Sequence, residues 1–366
     1  MTLQYRPVGA LVTLRYRPVG PLVTLQYLVR VSQPPTLVRR GRLLRIGMAV
    51  ATLLALTAYL IVQYLYGDRG APRCEVVAGD GDGASYELTP EQAVNAATIS
   101  AVGTSRGMPE RAVTIALATA LQESALRNIN HGDRDSLGLF QQRPSQGWGT
   151  PKEIMDPAYS AGEFYEHLAK VPGYSRLPLT VAAQRVQRSG YPQAYAKHEP
   201  DATLLAAALT GRAAASLTCT TRPATEAADP SRVRTALVRD FGTDVLQDSA
   251  ATVSDGAGAS PSASPSARES GTVVVPVAST ASTAGGAAQR RGWELAHWAV
   301  ANASALGIDQ VSYAGRVWTA EDSEDGWRTE DSAGGSAVGD TSDGAGQRSA
   351  GSGGKAVDEV RIVCGQ

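Results

Sequence analysis

Apolar positions are spread unevenly along the chain, and their spacing divides it into segments of different kinds. Residues 46–62 are apolar apart from Thr52 and Thr57, and Tyr64-Leu65-Tyr66 carries the run past Gln63. Such a run suits a helix crossing a bilayer, which takes about 20 apolar residues. Thr89-Pro90-Glu91-Gln92 then marks a helix start, with Thr as N-cap, Pro in the first turn and Gln three residues on. That helix is expected to run to about residue 102. Pro109 opens a second helix, and residues 113–121 within it carry no charge. A helix that is apolar on every side belongs at the centre of a core. Helical patterns also fit residues 159–171, closed by Pro172-Gly173, and residues 179–189 and 202–209. Strand signals are almost absent between residues 74 and 222, which predicts an all-α or mostly α domain.

After residue 271 the pattern changes. Residues 272–277 read as a strand with Pro276 near its end. Residues 293–306 read as a helix stopped by Gly307, with Trp293, Ala296, Ala299 or Val300, and Ala303 on one face. Residues 310–318 read as a hairpin turning at Ala314-Gly315, and residues 359–363 as a last strand. This predicts a small α+β module. The spans between are poor in apolar residues. Residues 249–271 are mostly Ser, Ala, Gly and Pro, and cannot bury a core; residues 332–354 are a Gly/Ser/Asp insertion. One more helix, over 231–240, falls just before the first of these.

The division that follows is a basic tail (1–45), a membrane helix (46–66), a helical domain (74–222), a linker (223–271) and a small α+β domain (272–366). Inside the tail, Thr2-Leu3-Gln4-Tyr5-Arg6-Pro7-Val8-Gly9 recurs as Thr13-Leu14-Arg15-Tyr16-Arg17-Pro18-Val19-Gly20, and a third copy begins at Thr24. Its prolines oppose regular structure. A disordered tail, or translation of repetitive sequence upstream of the true start, accounts for it.

Charge and cysteine content narrow the picture. Arg39, Arg40, Arg42 and Arg45 precede the apolar run, so the N-terminus is expected to stay cytoplasmic and residues from 68 onward to be exported. A cleaved signal peptide is the competitor, but its apolar region is normally shorter and ends in a small-residue site; residues 67–73 make a poor one. The expected location is the cell membrane, single-pass, with the bulk outside. A net charge of −1 leaves no nucleic-acid footprint. The three cysteines (Cys74, Cys219 and Cys364) form no Cys-x-x-Cys pair, and the four histidines are scattered, so no metal site and no cofactor are expected. Cys74 and Cys219 bracket the helical domain, and export makes a disulfide between them plausible. That leaves Cys364 over.

One carboxylate stands out. Glu123 ends the uncharged helix, where the dipole disfavours it and burial is expected to raise its pKa. A carboxylic acid protonated near neutral pH is what protonation of a glycosidic oxygen requires. Glu123-Ser124 is followed by Gly138-Leu139-Phe140-Gln141 and then Pro144. This constellation resembles the lytic transglycosylase branch of the lysozyme-like superfamily, over residues 90–215, with Phe140 where that family has Met. The resemblance implies that Glu123 is the acid and then the base, that Ser124 supports the helix end or contacts substrate, and that Gly138, Phe140 and Gln141 line the cleft floor. The family's later Tyr-Asn motif is not cleanly present. Gln187, Tyr191 and Tyr195 occupy its region as candidate polar groups of the cleft.

Asp133 and Asp135 are candidates for a second carboxylate, set against pairing with Arg134 or capping of a turn; they do not make a calcium loop. Trp148 could stack on a sugar ring or pack under its loop. The implied activity is cleavage of the β-1,4 bond between N-acetylmuramic acid and N-acetylglucosamine in peptidoglycan glycan strands. A lysozyme-type hydrolase and a silent wall-binding protein are the alternatives. Residues 298–318 resemble a small C-terminal domain found beside lysozyme-like domains in envelope proteins of high-GC Gram-positive bacteria. Wall binding, an envelope protein partner or a structural part are the roles open to it.

Overall fold

The computed structural model describes residues 37–66, 72–79, 83–225, 227–246, 271–277, 286–330 and 359–365. The N-terminal repeats, most of the Ser/Pro-rich linker and the Gly/Ser/Asp insertion lie outside them. The chain divides into two units, Met1–Arg69 and Gly70–Gln366.

The described part of the first unit is a single helix, α1 (Leu37–Tyr66). Its segment Arg45–Val62 is long and apolar enough to cross a membrane. Its two interior threonines turn inward on the helix. The hydroxyl of Thr52 donates to the Met48 carbonyl at 2.7 Å and that of Thr57 to the Leu53 carbonyl at 2.9 Å. An apolar solvent requires polar groups to be satisfied internally in this way.

The second unit is mostly helical and ends in a five-stranded sheet. In order it contains β1 (Cys74–Val77), β2 (Ser85–Leu88), α2 (Pro90–Ser105), α3 (Glu110–Ser124), α4 (Pro151–Ile154), α5 (Pro157–Ala169), α6 (Leu179–Gln187), α7 (Glu199–Leu209), β3 (Leu217–Cys219) and α8 (Pro230–Phe241). Then come β4 (Thr272–Pro276), α9 (Gly286–Ala301), α10 (Ala303–Leu306), β5 (Ile308–Tyr313), β6 (Arg316–Thr319), β7 (Arg328–Thr329) and β8 (Glu359–Cys364). The Thr89 capping box forms as its spacing requires: the Gln92 amide donates to the Thr89 hydroxyl and the Thr89 amide to the Gln92 side chain. α3 is buried from Ala112 to Leu121 and packs on α2, α5, α6 and α7. The uncharged run is thus a central helix, as its composition predicts.

Two features left no signal in the sequence pattern. The helical region contains an antiparallel sheet, ordered β2-β1-β3. Its strands are three or four residues long, too short to leave a period in the sequence. Cys74 faces Cys219 across β1 and β3, and the two form a disulfide spanning 145 residues. A bridge that closes so long a loop restricts the unfolded chain and stabilises by about 3–5 kcal/mol.

The second feature is close packing between the C-terminal and helical regions. The C-terminal sheet, ordered β4-β8-β5-β6-β7, is antiparallel throughout. Its helix α9 packs on β5 and β8 and also on α2, α7 and β3. The pattern predicted one apolar face on α9, whereas every residue from Gly292 to Ala301 is buried. Trp293, Trp298, Trp318 and Trp327 are all buried too, so none offers a platform to a ligand. The segment assigned to a linker contributes α8, whose Val233, Leu237 and Phe241 enter the shared core. Asp240, 1% exposed, joins three helices there. It accepts from the Trp298 indole at 2.8 Å and the Thr98 hydroxyl at 3.0 Å, and pairs with Arg239 at 2.7 Å. Cys364 is buried and unbonded to sulfur, and burial pushes its thiol pKa up.

Candidate functional site

α3 ends abruptly, and the ending positions Glu123. Ala125 and Leu126 both adopt left-handed conformations, with φ of 53° and 58°. The Ala125 amide donates to the Leu121 carbonyl and the Leu126 amide to the Ala120 carbonyl, which closes the helix end. For residues with a β-carbon this costs on the order of 1 kcal/mol each, so something must hold the pair. α2 does so. The Gln92 side chain donates to the Ala125 carbonyl and the Asn95 side chain to the Leu126 carbonyl, both at 2.8 Å. Neither residue is recognisable as a site residue from sequence; the capping box at Thr89 is the only signal near them.

Glu123 itself is half-buried, since the fully enclosed stretch of α3 stops at Leu121. Its Oε1 accepts a hydrogen bond of 2.6 Å from the Tyr195 hydroxyl. Tyr195 has no exposed surface. Burial, and then the neighbouring Glu123, push its pKa well above the usual phenol value, so the hydroxyl keeps its proton and remains a donor. One oxygen of Glu123 is therefore fixed in place.

The Gly138-Leu139-Phe140-Gln141 segment is a tight turn closed by a bridge between Leu137 and Gln142. Gly138 has φ of 74°, and a β-carbon there would lie 2.7 Å from the Ile154 carbonyl oxygen, so the position requires glycine. Ser124 binds the turn to α3, its hydroxyl donating to the Leu139 carbonyl at 2.8 Å. Gln187 binds it to α6, donating to the Phe140 carbonyl at 2.7 Å. Phe140 points into the core and stacks on Phe164 at 4.7 Å.

Beside this turn lies a cleft of about 530 Å³ between the 141–148 loop, the end of α5 and the end of α6. Gln141, Gln187 and Trp148 line it, with Arg143, Arg185 and Arg188. Trp148 is half-buried, its ring against the His167 ring at 4.1 Å. Glu123 is not among the lining residues; the turn, held by Ser124 on one side and Gln187 on the other, links it to the cleft. Among the described residues, seven other than glycine have positive φ. Five of them (Ala125, Leu126, Arg134, Gln141 and Arg188) border this region. Strain concentrated in one place marks a site whose geometry the fold maintains at a cost. A larger hollow of about 810 Å³ beside β1 and α7 is bordered mainly by small residues. Its Glu199 and Arg212 are already ion-paired, with Arg111 and Glu110.

The structure redistributes the sequence-predicted residues. Gln141, Gln187 and Trp148 do line a cleft. Ser124, Gly138 and Phe140 do not face it: they are buried and hold the turn. Tyr195 is enclosed and touches Glu123 rather than open space, while Tyr191 is 80% exposed, outside any wall. Asp135 is engaged by Arg143 at 2.8 Å and by the Ser145 amide at 2.8 Å, so it joins Arg143 rather than Arg134. These donors, Arg143 foremost, hold its carboxyl far below the usual range. It is a fixed anion that braces the loop. Asp133 is exposed. Among the described residues no cluster of His, Cys, Asp and Glu side chains could hold a metal ion.

A family model described as VldE, C-terminal domain, matches residues 234–339. The match starts within α8 and runs past β7, so it supports a distinct C-terminal segment and does not reach Glu123. No curated protein matches the chain.

Proposed function

We propose that the protein is a membrane-anchored peptidoglycan glycosidase whose single acid/base is Glu123, acting as a lytic transglycosylase on the β-1,4 bond between N-acetylmuramic acid and N-acetylglucosamine. The observation that carries this reading is Glu123 at the strained end of a central helix, one oxygen held by Tyr195 and the other without a hydrogen bond from any of the described residues. In this mechanism the Glu123 carboxyl gives its proton to the glycosidic oxygen as the bond to C1 breaks. The C6 hydroxyl of the same sugar then bonds to C1 and returns its proton to Glu123, leaving a 1,6-anhydro end and consuming no water. A hydrolase of the inverting kind needs a second, ionised carboxylate about 6.5–9.5 Å away to activate water. Asp135 is tied to Arg143 and Ser145, which favours the one-carboxylate route. α1 would anchor the chain, with the second unit on the outer face of the membrane.

A silent wall-binding protein is the second reading, favoured by the separation of Glu123 from the lining of the 530 Å³ cleft. Release of soluble fragments from purified peptidoglycan separates the two. The full chain in detergent should release them, and the Glu123→Gln variant should bind the wall equally well and release none. Binding without release by the wild-type chain would remove the enzyme.

A further inference from the structure

The cleft carries more positive charge than its surroundings neutralise. Arg143 and Lys170 border it and are each paired at 2.8 Å, with Asp135 and Glu166. Arg185, in the last turn of α6, and Arg188, its C-cap, also border it. Among the described residues no carboxylate lies within ion-pair distance of either, and none lines the cleft. The helix dipole accounts for a cation at the end of α6. It does not account for four cations from three segments converging on one concavity. Nor does it explain why Arg188 adopts φ of 52° there, a conformation that side chains rarely take. One wall is aromatic: the Trp148 ring lies tilted against the His167 ring, whose Nδ1 is fixed on the Glu163 carbonyl. A cleft of about 530 Å³ lies within the range that takes a small organic ligand.

We infer that this cleft is a subsite for a carboxylate borne by the wall polymer, with Arg185 and Arg188 as its ligands and the Trp148–His167 stack beside the adjoining sugar or peptide. The inference rests on the glycosidase reading for the identity of the polymer, and on the cleft alone for the charge of the ligand. Two groups supply a carboxylate: the lactyl group of a muramic acid without its peptide, and the free ends of a stem peptide. Guanidinium groups suit either, because they bind carboxylates through paired hydrogen bonds.

The test uses the full chain in detergent with Glu123→Gln, so that the ligand is not consumed. It is titrated with a neutral N-acetylglucosamine oligosaccharide and with a muramyl-peptide oligosaccharide of similar length. The carboxylate-bearing ligand should bind more tightly, and added salt should erase the difference. Arg185→Gln with Arg188→Gln should weaken that ligand by about tenfold, as loss of two partly solvated charged contacts implies, and leave the neutral one unchanged. Arg185→Lys with Arg188→Lys should recover part of the loss, through charge without the paired hydrogen bonds, which separates charge from misfolding. Treating the muramyl-peptide ligand with an amidase, which removes the stem and frees the lactyl carboxylate, identifies the source: tighter binding only before treatment assigns the stem, tighter binding only after it the lactyl group. Binding no tighter than the neutral ligand both before and after amidase treatment, or full affinity in the double Gln variant, overturns the subsite. Charge-dependent binding by a wild-type chain that cleaves nothing would keep the subsite and remove the enzyme.

Discussion

α3 and α9 are both central helices, and each carries a glutamate, yet the two carboxylates are treated in opposite ways. Glu294 sits inside α9 at 5% exposure, paired with Arg291 at 2.9 Å and accepting from the Thr104 hydroxyl. Burial raises its pKa, and Arg291 and Thr104 only partly oppose that. Glu123 sits at the last turn of α3, half-buried, with a single donor and a strained backbone just beyond it. The difference teaches that withdrawal from water alone does not nominate a catalyst. The more enclosed of the two is the one whose oxygens are both spent on partners. The candidate acid is the one left with an oxygen to offer.

The comparison can be broken most decisively by exchanging the two acids. Glu123→Gln should lower glycan cleavage by at least about a hundredfold, the usual contribution of a positioned acid, with the thermal midpoint nearly unchanged. Glu294→Gln should leave turnover intact and shift the midpoint instead. The reverse pattern in a turnover and melting series would dismantle the assignment.

A second contrast lies one turn along α9. His297 is fully enclosed, accepts the Ser216 amide at Nε2 and donates from Nδ1 to the Ala208 carbonyl at 2.8 Å. Burial pushes its pKa down to about 4. The unfolded chain takes up a proton near pH 6.5 and the folded chain does not, so folding stability falls as the pH drops through that window. The loss should total about 3 kcal/mol between about pH 6.5 and 4. Denaturant titrations of wild type and His297→Gln across that range would show it as a slope present only in the wild type.

Smaller effects sharpen the picture. Trp298→Phe removes one donor from the buried Asp240 and should destabilise the fold by about 1–3 kcal/mol, with cleavage per folded molecule unchanged. Tyr195→Phe should act the other way, lowering turnover about tenfold, the equivalent of one hydrogen bond, with little change in melting. A Tyr195 variant that only melts earlier would make that bond structural.

Much of this architecture was legible in the chain. The uncharged run before Gln122 predicts a central helix, Thr89 to Gln92 predicts a capping box, and Ala314-Gly315 predicts a hairpin; each is present. What escaped were arrangements that depend on distant segments. The clamps from Gln92 and Asn95 onto the end of α3 reach across about 30 residues and have no local pattern. The burial of α9 on every side follows from α2 and α7 covering the face that a lone α+β module would leave wet. Phe140 illustrates the limit at the site itself. Its place in the Gly-Leu-Phe-Gln motif suggested a cleft wall, but a single turn must also anchor itself, and the aromatic ring is the anchor.

The most direct test of the single-acid account is the mass of the products. The full chain in detergent, incubated with purified peptidoglycan, should release muropeptides about 18 Da lighter than hydrolytic ones, and the Glu123→Gln variant should release none. Products of full hydrolytic mass, or lighter products that persist without Glu123, would contradict it.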